Sequence, residues 1–221
     1  MADMNKILGQ LLGSGVAGGF AGGLAGGIAS NLLTSKSGRK IGKNALKLGG
    51  IAAVGALAFA AFQRYNSGKA TGPGILPQTA ETELLPAPEG SAFIPAKNDY
   101  AGQEALGLTL VRAMIAAARS DGRLDAQESQ AVFQRIESLG LDPENQALLV
   151  AEIGRPVDMD LIINSASSAE VAAEIYIASL LAIDVDTAAE QSYLAMLAAR
   201  LNIPPELATE LRSQVEAKTV I

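Results

Sequence analysis

Leu139-Gly140-Leu141-Asp142-Pro143-Glu144 and, sixty-two residues later, Leu201-Asn202-Ile203-Pro204-Pro205-Glu206 carry the same local instruction. In each an apolar stripe ends, turn-forming residues follow, and a proline arrives where it can occupy the first turn of a new helix. At the same offset Ala126 falls on Ala188, Glu128 on Glu190, Glu144 on Glu206 and Leu149 on Leu211. Matched caps and prolines at one period predict two related three-helix units joined by a short helix.

Working outward, residues 100–217 show helical periodicity. Leu106, Leu110, Met114 and Ala118 form one stripe, Val132, Phe133, Ile136 and Leu139 the next, then Val171, Ile175 and Ala178, and then Leu194, Leu197 and Leu201. Asp125-x-x-Glu128, Ser167-x-x-Glu170 and Thr187-x-x-Glu190 read as capping boxes. Seven helices are expected, near 102–119, 126–139, 143–153, 158–166, 169–183, 188–201 and 205–217.

Upstream the composition changes. Asn66-Ser67-Gly68, Gly72-Pro73-Gly74, Pro77, Pro86-Ala87-Pro88 and Pro95 mark residues 66–99 as an extended proline- and glycine-rich linker. Before it, Gly15, Gly19, Gly23 and Gly27 recur every fourth residue within an uncharged run from Ile7 to Leu33. Such a ladder is costly for a helix in water, whereas in lipid small residues at i and i+4 let helix backbones touch. A second apolar run covers residues 48–62. The reading is an all-α chain in three parts: a glycine-rich membrane-anchoring helical hairpin over 1–65, a linker over 66–99, and a helical domain over 100–221. The glycine face also offers a route to a homo-oligomer.

Charge supports that division. Residues 1–70 hold eight basic side chains against Asp3 alone, a net of +7, and the remainder nets −13, for −6 overall. A basic apolar front on an acidic domain suits a lipid bilayer partner, not nucleic acid. Lys36, Arg39, Lys40, Lys43 and Lys47 lie between the apolar runs, so a spanning hairpin would keep them in the cytoplasm and put both termini, with the domain, on the periplasmic side of a bacterial inner membrane. The chain contains neither cysteine nor histidine, which removes disulfides, thiolate nucleophiles, serine-histidine catalysis and the usual zinc ligands.

Two motifs read weakly. Gly13-Ser14-Gly15-Val16-Ala17-Gly18 fits G-x-G-x-x-G, yet no strand precedes it and no acid stands between Asp3 and Glu81 to hold a ribose. Lys6 before an apolar run, with Gly27-Ile28-Ala29 behind, has the outline of a secretory signal, but Asp3 and the glycine content argue against it.

The remaining chemistry is carboxylate chemistry. Asp121, Asp125 and Glu128 in one turn, and Asp184, Asp186 and Glu190 in another, sit where helices begin, which favours carboxylates through free N–H groups alone. They also suit a hard divalent cation, calcium or magnesium, held between the turns. Ala116-Ala117-Ala118-Arg119-Ser120-Asp121-Gly122 with Glu128 resembles the A-x-A-D-G signature of the tellurite-resistance TerB-like helical domains, and Asp184-x-Asp186-x-x-x-Glu190 resembles their second acidic cluster. With its glycine-rich front the whole chain is similar to an uncharacterised bacterial inner-membrane family typified by YebE. The resemblance implies a seven-helix bundle without established catalysis, the six carboxylates as metal ligands, and a role in envelope or metal stress. The expected function is a non-enzymatic membrane-tethered module with an unknown protein partner. The alternatives are a hydrolase using a carboxylate pair and a purely structural membrane protein.

Overall fold

The structure, a computed structural model, describes residues 3–13, 50–70, 87–120, 141–183, 185 and 187–219. Among these the chain is all-helical, with eight helices: α1 (Met4–Gly13), α2 (Gly50–Ala70), α3 (Tyr100–Ala118), α4 (Pro143–Gly154), α5 (Met159–Asn164), α6 (Ala169–Ala182), α7 (Ala188–Arg200) and α8 (Pro205–Thr219). From α3 onward the elements lie where the periodicity and caps put them. The helix expected at 126–139 and the glycine ladder at 15–27 fall outside the described residues.

The central element is α6. Its sequence is apolar all round, as a helix enclosed by others must be, and every residue from Ala172 to Ala182 is buried. Its main partner is α3, followed by α2, α8 and α7. Ser168, rather than Ser167, caps it, accepting from the Val171 N–H at 3.3 Å. α7 opens on a full capping box between Thr187 and Glu190, and Asp142 caps α4 ahead of Pro143. The two proline-led helices bury equivalent positions: Leu141 and Ile203, Leu149 and Leu211, and the polar pair Glu152 and Gln214, each sixty-two residues apart.

The second apolar run departs from its expected place. Residues 50–70 form α2, which packs on α1, α6 and α8 and buries Ile51, Val54, Ala56, Leu57, Ala58 and Ala61 in the same core as the later helices. α2 also continues through Asn66-Ser67-Gly68, where the linker was expected to begin. None of these residues is a proline, and the Ser67 hydroxyl bonds back to the Gln63 carbonyl at 2.8 Å. No helix among the described residues is long and apolar enough to cross a membrane. Nor are residues 87–99 an extended spacer. Ala87 and Phe93 are buried, and the Phe93 ring packs edge-on against Phe59 and Phe62 of α2, at 5.5 and 5.3 Å between ring centres.

α1 joins the same bundle through Met4, Ile7, Leu8, Leu11 and Leu12, all buried. Three polar ties fix it: the Asp3 N–H to the Asn145 Oδ1 at 2.7 Å, Asn5 to Gln103, and Lys6 to Asp142 at 2.8 Å. The Lys6 ammonium, with the Asn145 N–H, holds the Asp142 carboxyl down at about 2. Glycine makes this docking feasible. A Cβ on Gly50 would lie 2.2 Å from the Leu8 Cβ, and one on Gly107 would lie 2.3 Å from the Met4 Cβ. Gly68 is the opposite case, with open space around it. Gly68→Ala is expected to stabilise the chain by about 0.5–1 kcal/mol through helix propensity, read as a rise in the urea midpoint.

Candidate functional site

A groove of about 740 Å³ opens where α3, α4, α5 and α7 meet, within the size range of ligand pockets. Local sequence builds its wall. Pro156 stops α4 and keeps Arg155 extended, after which Asp158 restarts the chain as α5 by accepting from the Leu161 N–H at 2.9 Å. Arg119 closes the end of α4, donating to the Ile153 and Arg155 carbonyls at 3.3 and 2.9 Å, a favourable place for a cation at a helix C-terminus.

Inside the groove, Glu152 is 7% exposed and receives Arg112 through two bonds, Nε to Oε2 at 2.7 Å and Nη2 to Oε1 at 3.2 Å. Arg155 adds a third, at 2.8 Å. Two guanidiniums thus share one carboxylate, with the Asp158 carboxylate on the same wall. Across the groove Arg200, in the last turn of α7, bonds to Asp160 in the first turn of α5. Ile115 and Ile162 form an apolar floor, while Val157 and Leu161 are 37% and 44% exposed at the rim. Fixed charges beside exposed apolar side chains are suited to gripping a ligand or partner segment. Arg112→Met is expected to cost about 2 kcal/mol, less than the 3–5 kcal/mol of a wholly orphaned buried ion because Arg155 still pairs with Glu152. Arg155→Gln, at an exposed guanidinium, should cost under about 1 kcal/mol. Urea unfolding of the two variants measures both.

Of the six carboxylates read as metal ligands, Asp121, Asp125, Glu128, Asp184 and Asp186 lie outside the described residues. Glu190 is described and buried, and its Oε2 accepts from the Thr187 N–H at 2.9 Å and from the Thr187 hydroxyl at 2.8 Å. It closes the α7 cap. Among the described residues no group of three or more acids is placed to hold a metal ion. Thr187→Ala is expected to cost about 1 kcal/mol as a lost cap, equally with and without added calcium, in thermal melts.

The pairing of Arg112 with Glu152 escaped the sequence reading because forty residues separate the partners. The available signal was Glu152 itself, an acid on the buried face that Leu149 and Ile153 define. A second such acid, Glu174, stands in the apolar run of α6 and is fully buried, with neither carboxyl oxygen hydrogen-bonded.

A family described as a protein of unknown function, DUF533, matches residues 18–215. An "Uncharacterized protein in ampR 5'region" of Yersinia enterocolitica is 30% identical over 109 residues, which cover 49% of this chain and 78% of that protein. No solved structure matches.

Proposed function

The chain belongs to DUF533, a family of unknown function, and from that premise we propose a non-enzymatic helical module attached to one face of the bacterial inner membrane, which presents its groove to a protein partner. TerB-like character for residues 100–217 and kinship with YebE-like inner-membrane proteins belong to the same proposal and rest on the sequence motifs.

The observation that carries it is the contact of α1 with α2. These helices flank residues 14–49, so both ends of that stretch leave the bundle on one side of any membrane. A single crossing would separate α1 from α2. Two crossings need roughly 40 residues, more than the 36 present, and the second would have to carry Lys36, Arg39, Lys40, Lys43 and Lys47. These points support attachment from one side, with the uncharged residues 14–33 meeting lipid and the five cations meeting anionic headgroups, each worth about 1 kcal/mol near such a surface. The anionic lipid of the cytoplasmic leaflet then favours the cytoplasmic face, in contrast to the periplasmic placement that a hairpin spanning with residues 48–62 would have required. In the groove, the Arg112–Glu152–Arg155 triad beside the exposed Val157 and Leu161 suits a partner segment that sets a polar side chain next to an apolar one.

Flotation of the full chain with phosphatidylglycerol-rich and with pure phosphatidylcholine vesicles tests the attachment. Binding to the anionic vesicles is expected, weakened at least tenfold by high salt or by glutamine at all five basic positions. Failure to float with either lipid, or binding indifferent to charge, would sink the reading.

A further inference from the structure

The junction of α2, α6 and the 87–99 loop has a feature that packing alone leaves unexplained. Glu174 of α6 is 0% exposed, and both its carboxyl oxygens lack a hydrogen-bond partner. It points at Gly55 of α2. A Cβ built on Gly55 would lie 3.0 Å from the Glu174 Oε1, 2.8 Å from the Phe93 carbonyl oxygen and 3.1 Å from the Ile94 Cγ1. The missing side chain therefore leaves a notch on which a buried carboxyl and a loop carbonyl converge. An ionised carboxylate offers only acceptors and finds no donor there. A protonated one carries a donor, and the Phe93 carbonyl is the acceptor at hand.

We propose that Glu174 is carried as a neutral acid whose proton bonds to the Phe93 carbonyl, so that the 87–99 loop is latched onto α2 and α6 in a proton-dependent way.

The surroundings agree. Among the described residues, the elements packed around α6 direct no cation at Glu174. Arg64 of α2 pairs with Glu210 of α8, and Arg112 of α3 with Glu152; Arg212 of α8 donates to the Tyr176 hydroxyl, and in the loop Lys97 pairs with Glu89 while Asp99 caps α3. On α7, Glu190 closes its own cap and Tyr193 is a buried phenol pushed up to about 12, uncharged at the pH values considered. The charged group that does act on Glu174 is Glu170, one turn earlier on α6 and of the same sign. Burial first, and Glu170 second, push the Glu174 carboxyl up to about 9. Loss of the proton to solvent would leave a buried charge without a donor, and the loop is the element that can yield. It is secured to α2 by the Phe93 ring and the notch and to α3 by the Gln103 Nε2, which donates to the Ala96 carbonyl at 2.8 Å, and its own backbone bonds are short turns and not a helix. Release of the loop opens the junction to water and solvates the carboxylate.

Amide exchange of residues 91–96, corrected for the intrinsic pH dependence of exchange, tests the latch in the full chain, with carboxyl-carbon NMR of Glu174 alongside. Wild type should show a Glu174 signal that does not titrate between pH 5 and 8, and should lose protection of the loop at least tenfold on passing above about pH 9. Glu174→Gln, which keeps a donor of the same reach, should hold the loop protected across that range. Glu170→Gln should move the wild-type release to lower pH, an effect that a purely packing role for Glu174 would not produce. Titration of Glu174 near the ordinary carboxyl value, equal loss of protection in Glu174→Gln, or a release point unmoved in Glu170→Gln would each overturn the proposal.

Discussion

Leucine at both Gly50 and Gly107 is expected to detach α1 from the bundle. At each position the first added carbon already lies 2.2–2.3 Å from a side chain of α1, and at Gly50 it also lies 2.4 Å from the Gly9 backbone nitrogen, which no rotamer change can move. Overpacking of this kind costs about 1–3 kcal/mol per site, so the pair should cost about 4 kcal/mol and lower the melting temperature by about 10 °C for a chain of this length. The loss is capped by what α1 contributes, because the helix can leave. Once it does, Met4, Ile7, Leu8, Leu11 and Leu12 return to water and amide protection across residues 4–13 should vanish while α6 remains protected. Gly154→Ala, where nothing lies within 4 Å of the new methyl group, is the control: it should leave protection of residues 4–13 unchanged and the melting temperature equal or slightly raised.

The second large effect is a pH dependence set by Glu174. Its carboxyl is raised from 4.5 to about 9 in the folded chain, with burial the larger cause. Between those two values the unfolded chain has lost this proton and the folded chain has kept it. Stability from this group is therefore complete below about pH 4.5, declines by roughly 1.4 kcal/mol for each pH unit above that, and levels off above about pH 9. At pH 7 the accumulated loss is about 3 kcal/mol. Glu174→Gln, which has no proton to lose, should match wild type near pH 4.5 and exceed it by about that amount at pH 7, with a flatter profile in between. Urea midpoints taken at one-unit steps would show it, and parallel profiles for the two chains would mean that Glu174 is solvated.

How far the sequence discloses the fold depends on the kind of signal. Stripes with caps, such as Leu194-Leu197-Leu201 behind Thr187-x-x-Glu190, disclose both the helix and its buried face, because propensity, capping and burial all point one way. The alanine- and glycine-rich run of α2 does not disclose its surroundings. A helix of small apolar side chains fits a protein core and a bilayer alike, and only the grooves of α1, α6 and α8 decide between them. Gly50, Gly55 and Gly107 obey the rule inferred for the 15–27 ladder, that glycine lets backbones approach, but they apply it inside the bundle.

The candidate site is legible only in part. Glu190 reads correctly as a cap because its partner is three residues away, whereas the Arg112–Glu152–Arg155 triad is assembled from two helices and a loop that the sequence cannot bring together. The buried acids could have been noticed. A carboxylate in the middle of an apolar stripe, as at Glu152 and Glu174, needs either a distant cation or a proton, and the chain supplies one of each.

The central claim, that α1 and α2 belong to one bundle and that residues 14–49 therefore leave and return on the same side of the membrane, can be measured directly because the chain has no cysteine. Asn5 and Gln103 touch through their side chains at 3.3 Å. Cysteines placed at these two positions in the full chain, in membranes from expressing cells, should be joined within one molecule by a short bismaleimide. If the run from Ile7 to Leu33 instead crosses the bilayer as a single span, about 30 Å of hydrocarbon would separate the two thiols, and no intramolecular crosslink would form.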